Sequence, residues 1–164
     1  MSLQLSAPEP LASAHLLDNF NSGEPSLDDW LKKRALANQA SGASRTFVVV
    51  NQHLRVCGYY AMAAGAVAHE SATSSVRRNM PDPVPVMMLA RLAVDSQAQG
   101  IKLGAALLQD AVNRAVAVSY NAGVRALLVH ALHERAKLFY ERYGFQASPA
   151  HRLVLMLRLG GVKP

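Results

Sequence analysis

A chain of 164 residues with a single cysteine cannot close a disulfide within itself. That excludes a small cross-linked scaffold. Cys57 sits between Val56 and Gly58, which suits a thiol that fills space in a strand. Charge is scarce as well: 17% of the residues are Asp, Glu, Lys or Arg, against 51% hydrophobic. A composition so apolar builds a core and is not that of a disordered chain. Yet no apolar run reaches the roughly 18 residues that a membrane helix needs. The opening MSLQLSAPEPLASAH lacks a basic segment leading into a long apolar one, so no signal peptide is expected and the cytoplasm is the expected compartment. Of the two signs of charge, the negative is the scarcer. Eleven Asp and Glu stand against 17 Lys and Arg, for a net charge of +6. Such a surplus suits a polyanionic partner: a nucleic acid, a nucleotide cofactor or an acidic protein. It disfavours polycationic substrates, which the like charge would repel.

Residues 1–24 are mixed and punctuated by proline, with a short strand or turn expected near Leu3 to Leu5. SLDDWLKKRALANQASG predicts a helix over 27–40. Ser26 is its expected N-cap, Asp28 and Asp29 fall in its first turn, and Leu27, Trp30, Leu31 and Arg34 recur at helical spacing. Gly42 lies just past its end. RTFVVV (Arg45–Val50) and the longer RVCGYYAMAAGAVAH, joined by NQHL, predict a hairpin. SATSSVRRNMPDPVP, residues 71–85, predicts a loop. VMMLARLAVD predicts a buried strand from the middle of a sheet. A long helix from Gly104 to about Asn121, a strand from Val124, a short helix ending at Gly144 and a last strand in RLVLMLRL complete the order. One α/β domain over residues 1–164, with a mixed central sheet flanked by helices, is the expected architecture.

Two stretches carry chemistry. In DSQAQGIKLGAALLQDA a strand ends near Asp95, glycines fall at 100 and 104, and an Ala/Leu-rich helix begins. Small residues beside a helix N-terminus leave backbone N–H groups open to an anion. The same glycines also serve a plain tight turn, and local physics leaves both open. In LFYERYGF, Tyr140 and Tyr143 lie three apart on a short helix. Either one faces a cleft as a proton donor, or the aromatics pack as core. His130 and His133 have a strand end between them and no third ligand at suitable spacing, so no metal is expected.

The combination of buried strand, Gln/Gly loop, long helix, strand and FYxxxGF resembles the GNAT superfamily of N-acetyltransferases. Its acetyl-CoA loop reads Gln/Arg-x-x-Gly-x-Gly/Ala. The matching stretch here is Gln99-Gly100-Ile101-Lys102-Leu103-Gly104, which fits at its first and last positions and carries Lys102 in place of the middle glycine. The long lysine side chain either obstructs the pyrophosphate or supplies a charge to it. Three further segments, WLKKRALANQASGASRTFVV, RRNMPDPVPVMMLARLAVD and GVRALLVHALHERAKLFYERYGF, are similar to the GNAT toxins of toxin–antitoxin pairs. The resemblance implies acetylation of the α-amine of aminoacyl-tRNA, a block of translation, a ribbon-helix-helix antitoxin and a homodimer.

It also implies roles for residues. Tyr140 takes the family's general-acid place, with Tyr143 as the internal control. Backbone groups of Leu92 and Val94 hold the pantetheine arm, with Ala93 on the opposite face of the strand. The N–H groups of Gln99, Gly100, Ile101, Lys102, Leu103, Gly104 and Ala105 take the pyrophosphate. An α-amino group has a pKa of about 7.7–8.0, so a useful fraction is neutral at cellular pH and no strong base is required. Lys33, Arg34, Arg45, Arg77 and Arg78 are the candidate tRNA phosphate contacts, taken as a set. Two other functions fit the same residues: acetylation of a small amine or a protein N-terminus, and a non-catalytic RNA-binding domain that has kept the fold.

Overall fold

Pro25, not Ser26, opens the first helix. In the computed structural model, which describes residues 4–162, α1 spans Pro25–Lys33 with Glu24 in the N-cap place. Proline is tolerated there because its missing N–H would have no partner in a first turn. Asp28 does lie in that turn, and its carboxylate also accepts from the N–H (3.0 Å) and hydroxyl (2.7 Å) of Ser22. It pins the preceding loop as well as meeting the helix dipole. The single helix expected over 27–40 is two. The chain breaks at Arg34 (φ −124°, ψ −30°), and α2 spans Ala35–Ser41. Leu27, Leu31 and Ala35 are all buried, so the apolar spacing runs on across the break and does not reveal it. Gly42 ends α2 in the left-handed conformation (φ 83°), as expected.

The hairpin forms with β2 at Arg45–Val50 and β3 at Val56–Val67, antiparallel, with Val49 opposite Gly58. The N-terminal strand is β1, Glu9–Pro10, paired on β2. It lies beyond the place expected near Leu3 to Leu5, of which Leu3 falls outside the described residues. The loop expected over 71–85 holds a short helix, α3, at Ser74–Arg77. Next come β4 (Val84–Val94), α4 (Leu103–Ser119), β5 (Ala126–His130), α5 (Glu134–Arg142), β6 (Gln146–Ala147) and β7 (Val154–Arg158). One seven-stranded sheet has the order β1-β2-β3-β4-β5-β7-β6. It is mixed: β5 runs parallel to β4, with Met87 opposite Leu127, and antiparallel to β7. β4 holds the middle place that its apolar sequence predicts.

The chain folds as two compact units. One comprises the chain up to Ala63 with Arg91–Ala111; the other comprises Ala64–Ala90 and the chain from Val112 onward. In the first, Leu31, Val48 and Phe20 pack around Tyr59, whose hydroxyl donates to the Leu27 carbonyl at 2.7 Å. A ring so deeply buried needs that partner for its O–H. In the second, Val86, Leu128 and Met156 pack against Val76 of α3. Burying side chains of this size stabilises by about 1.5–3 kcal/mol each.

Candidate active site

The turn from β4 into α4 is anchored on Asp95. Its buried carboxylate accepts from the N–H groups of Asn21 (2.8 Å) and Gln97 (3.0 Å), and lies 3.7 Å from the Arg55 guanidinium. Its own N–H donates to the Cys57 carbonyl at 2.8 Å. Asp95 thus caps the short turn Ser96–Ala98 and sews it to the neighbouring chain. Sequence reasoning passed over this role, although an Asp at a strand end two residues before a needed N–H is a cap signal. The Gln99 side-chain amide donates to the carbonyls of Val94 (3.1 Å) and Ser22 (3.2 Å), so it braces the loop from within.

Beyond Gln99 the chain turns left-handed twice, at Gly100 (φ 84°) and at Lys102 (φ 63°). Lys102 therefore holds the conformation for which the family pattern uses glycine, at a cost of about 1–2 kcal/mol. Its side chain is exposed. Among the described residues, no backbone N–H from Gln99 to Ala105 donates to a protein acceptor. The first closing bond runs from the Ala106 N–H to the Lys102 carbonyl at 3.1 Å. The first turn of α4 carries no acidic residue. Open amides at the positive end of a 17-residue helix form an anion cradle. The set is all donors, so it fits a pyrophosphate such as that of acetyl-CoA.

Gly58 lets α4 come close. A Cβ there would lie 2.9 Å from Leu107 Cδ1 and 3.1 Å from Leu103 Cδ2. A glycine inside a strand is the sequence signal for such an approach. On β4, Ala93 is buried while Leu92 and Val94 are partly exposed, which matches the expected alternation. The thiol of Cys57 is buried in β3, where burial first and the Asp95 charge second push its pKa up, so it stays protonated. That is the space-filling role expected of it.

The basic candidates divide between the units. Lys33 and Arg34 are exposed at the end of α1, and their side chains make no hydrogen bond or ion pair among the described residues. Arg45 instead donates from Nη1 to the Gln39 carbonyl at 2.7 Å, closing the end of α2. Those three belong to the first unit; Arg77 and Arg78 belong to the second. Arg77 reaches the His69 carbonyl at 3.3 Å. Arg125, not picked out in the sequence, donates to the carbonyls of Ser75 (3.0 Å), Val76 (3.1 Å) and Arg78 (3.3 Å) and so holds α3 in place.

α5 of the second unit carries both tyrosines. His133 caps it, its Nδ1 accepting from the Ala136 N–H at 3.2 Å. Gly144 (φ 93°) ends it, and the Phe145 N–H then returns to the Tyr140 carbonyl at 3.2 Å. That return sets the Phe145 ring 5.6 Å from the Tyr140 ring, while Phe139 meets Tyr140 edge-on at 5.2 Å. Tyr140 is 6% exposed and Tyr143 is 43% exposed. Burial alone pushes the Tyr140 hydroxyl well above the usual tyrosine range, so it keeps its proton at any cellular pH. A protonated hydroxyl can serve as an acid.

Residues 43–147 match the model of the acetyltransferase (GNAT) domain. The chain belongs to the GNAT acetyltransferases. It is 54% identical over 152 residues, 93% of its own length and 91% of the relative's, to a protein of Mycobacterium tuberculosis named tRNA-acetylating toxin. Among solved structures it is similar to AtaT complexed with acetyl-methionyl-tRNAfMet (TM-score 0.88, 25% identity, 96% of each chain). It is also similar to AtaTR bound with AcCoA (TM-score 0.82, 26% identity, 95% of this chain and 94% of that one). The GNAT fold and the acetyltransferase class that the motifs implied are thereby established, and the non-catalytic alternative loses its support. Among the described residues no group of three His, Cys, Asp or Glu side chains gathers as a metal site, and no helix is long and apolar enough to cross a membrane.

Proposed function

We propose that the chain, working as one GNAT domain over residues 1–164, transfers the acetyl group of acetyl-CoA to the α-amine of aminoacyl-tRNA. Translation is thereby blocked in the cytoplasm until a cognate antitoxin neutralises the enzyme. The observation that carries this is 54% identity, across 93% of the chain, to a protein named for tRNA acetylation. The same proposal takes the antitoxin to be of the ribbon-helix-helix type and the enzyme to be a homodimer.

Acetyl-CoA, when bound, supplies an activated thioester open to attack by an amine. The chain does the rest. Amides of Gln99, Gly100, Ile101, Lys102, Leu103, Gly104 and Ala105 hold the pyrophosphate; their lack of protein acceptors supports this. Backbone groups of Leu92 and Val94 flank the pantetheine arm, and Ala93 faces the core. As the amine nitrogen bonds to the acyl carbon and the C–S bond breaks, Tyr140 gives its proton to the departing thiolate, and the proton shed by the amine restores the hydroxyl; burial supports this role by keeping the hydroxyl protonated until then. Lys33, Arg34, Arg45, Arg77 and Arg78 meet tRNA phosphates. Arg45 does so with fewer free donors, since one N–H is spent on Gln39.

The test pairs wild type with Tyr140→Phe. Each is expressed under tight induction, and each purified protein is given charged tRNA and labelled acetyl-CoA. Wild type is expected to arrest growth and label the aminoacyl end, and the variant to do neither. Label on a small amine or a peptide N-terminus but not on charged tRNA would replace the substrate and leave the acetyltransferase standing.

A further inference from the structure

We propose that Arg91 is a phosphate-binding residue for the single-stranded acceptor end of the charged tRNA, an assignment that rests on the tRNA reading above. Arg91 lies on β4 next to Leu92, with its Cζ 4.9 Å over the Trp30 ring. Trp30 also stacks on Tyr59 at 6.1 Å and 10°. Tyr59 is fixed in turn by its bond to Leu27 and by the edge of Phe20 at 5.6 Å. The guanidinium thus rests on a rigid aromatic pile. Among the described residues its Nε is buried with no partner, and no side-chain N–H of Arg91 makes a hydrogen bond or an ion pair. An arginine with a structural duty in this molecule looks different. Arg125, which holds α3, spends its donors on three carbonyls at 3.0–3.3 Å.

A stacked guanidinium with every donor unused offers two parallel N–H groups at its edge, the geometry that phosphate oxygens take bidentately. The surroundings favour a polyanion. Lys33 and Arg34 follow Trp30 by three and four residues, and both are exposed and unpaired among the described residues. The phosphates of the cofactor are the other source of the same chemistry. The period-2 alternation of β4 argues for the tRNA, because Arg91 falls on the Ala93 face, opposite to that of Leu92 and Val94.

The experiment uses the full chain with Arg91→Gln and Arg91→Lys. It measures acetylation kinetics on charged tRNA over a salt series, acetyl-CoA binding by calorimetry, and thermal melting. Arg91→Gln is expected to raise KM for charged tRNA about tenfold with kcat within about threefold, and to flatten the slope of log(kcat/KM) against log salt by about 0.7, one single-strand phosphate contact. Its affinity for acetyl-CoA should stay within about twofold of wild type. Arg91→Lys keeps the charge and loses the fork, so it should keep the slope with a smaller rise in KM, and it carries the test if the glutamine variant folds poorly. The proposal is overturned if KM and slope are unchanged, if acetyl-CoA affinity falls as far as tRNA affinity, or if both variants merely melt early with kcat lost. A wild type that neither acetylates nor binds tRNA would remove the functional reading and this one together. An active wild type with an indifferent Arg91→Gln removes this one alone.

Discussion

Among the described residues the turn from Gln99 to Ala105 leaves a run of backbone amides without protein acceptors, whereas α5 sinks one hydroxyl-bearing ring between Phe139 and Phe145. The first region keeps side chains out of the way and lets peptide dipoles face outward. The second strips water from a single side chain. Both fit the handling of negative charge. Peptide dipoles hold charge that is already there and carry no titrating group of their own. The buried hydroxyl keeps a proton ready for charge that develops on a leaving group. The contrast sorts the variants below: changes in the turn should move cofactor KM, and changes at the ring should move kcat.

Tyr140→Phe should have the largest effect. It removes one oxygen and keeps the packed ring, so kcat on charged tRNA should fall about 10²–10⁴-fold while cofactor affinity and melting temperature barely change. Burial raises the pKa of Tyr140 above that of an unfolded tyrosine, near 10. Wild-type kcat should therefore not decline through loss of this proton below about pH 10. Tyr59 is shifted the same way, chiefly by burial. The stability both groups contribute is complete below the unfolded value and is lost as pH climbs past it, so alkaline unfolding should set in above about pH 10. A Tyr140→Phe enzyme with undiminished kcat would end the contrast, since the ring would then be packing alone.

Asp95→Ala tests the other region. It removes a buried carboxylate that two N–H groups and Arg55 depend on. Loss of about 3 kcal/mol is expected, read as a melting temperature lower by about 6–12 °C. In protein that remains folded, KM for acetyl-CoA should rise about tenfold with kcat within about threefold. A loss confined to kcat would show that Asp95 does not serve the cradle. Lys102→Gly is subtler. It relieves a left-handed non-glycine residue and removes an exposed ammonium. Stability should rise by up to about 1 kcal/mol, and KM for acetyl-CoA by about two- to fivefold, the scale of a solvated charge contact. A fall in KM would mean instead that the lysine obstructs the cofactor.

How much of this was legible beforehand follows the range of the forces involved. The β2–β3 hairpin, the central β4 and the Gly42 stop rest on local pattern and appear where the pattern puts them. The break at Arg34 leaves the apolar spacing intact, and β1 and β6 are two residues long, too short for any periodicity to show. α3 is fixed largely by Arg125, which is far from it in sequence. In the turn, Gly100 announced its own conformation, but nothing in the residue type predicts that Lys102 goes left-handed. Arg91 is a cation within the apolar run VMMLARLAVD, while its idle side-chain donors show only in three dimensions.

Tyr143→Phe should have the smallest effect, and it is the sharpest control. Spacing alone could not rank the two tyrosines, since each lies on the same short helix and carries the same hydroxyl. Burial ranks them. Tyr143 is 43% exposed, with its ring edge-on to Phe139 at 5.2 Å. Solvent can replace any hydrogen bond that its hydroxyl gives up, and the ring contact survives the substitution. Activity within about twofold of wild type and stability within about 0.5 kcal/mol are expected, as for a surface change away from special features. Measured beside Tyr140→Phe, the variant separates the loss of a phenolic O–H on this helix from the loss of the buried one. Equal damage from both would shift the cause from proton donation to the aromatic packing that the two residues share through Phe139.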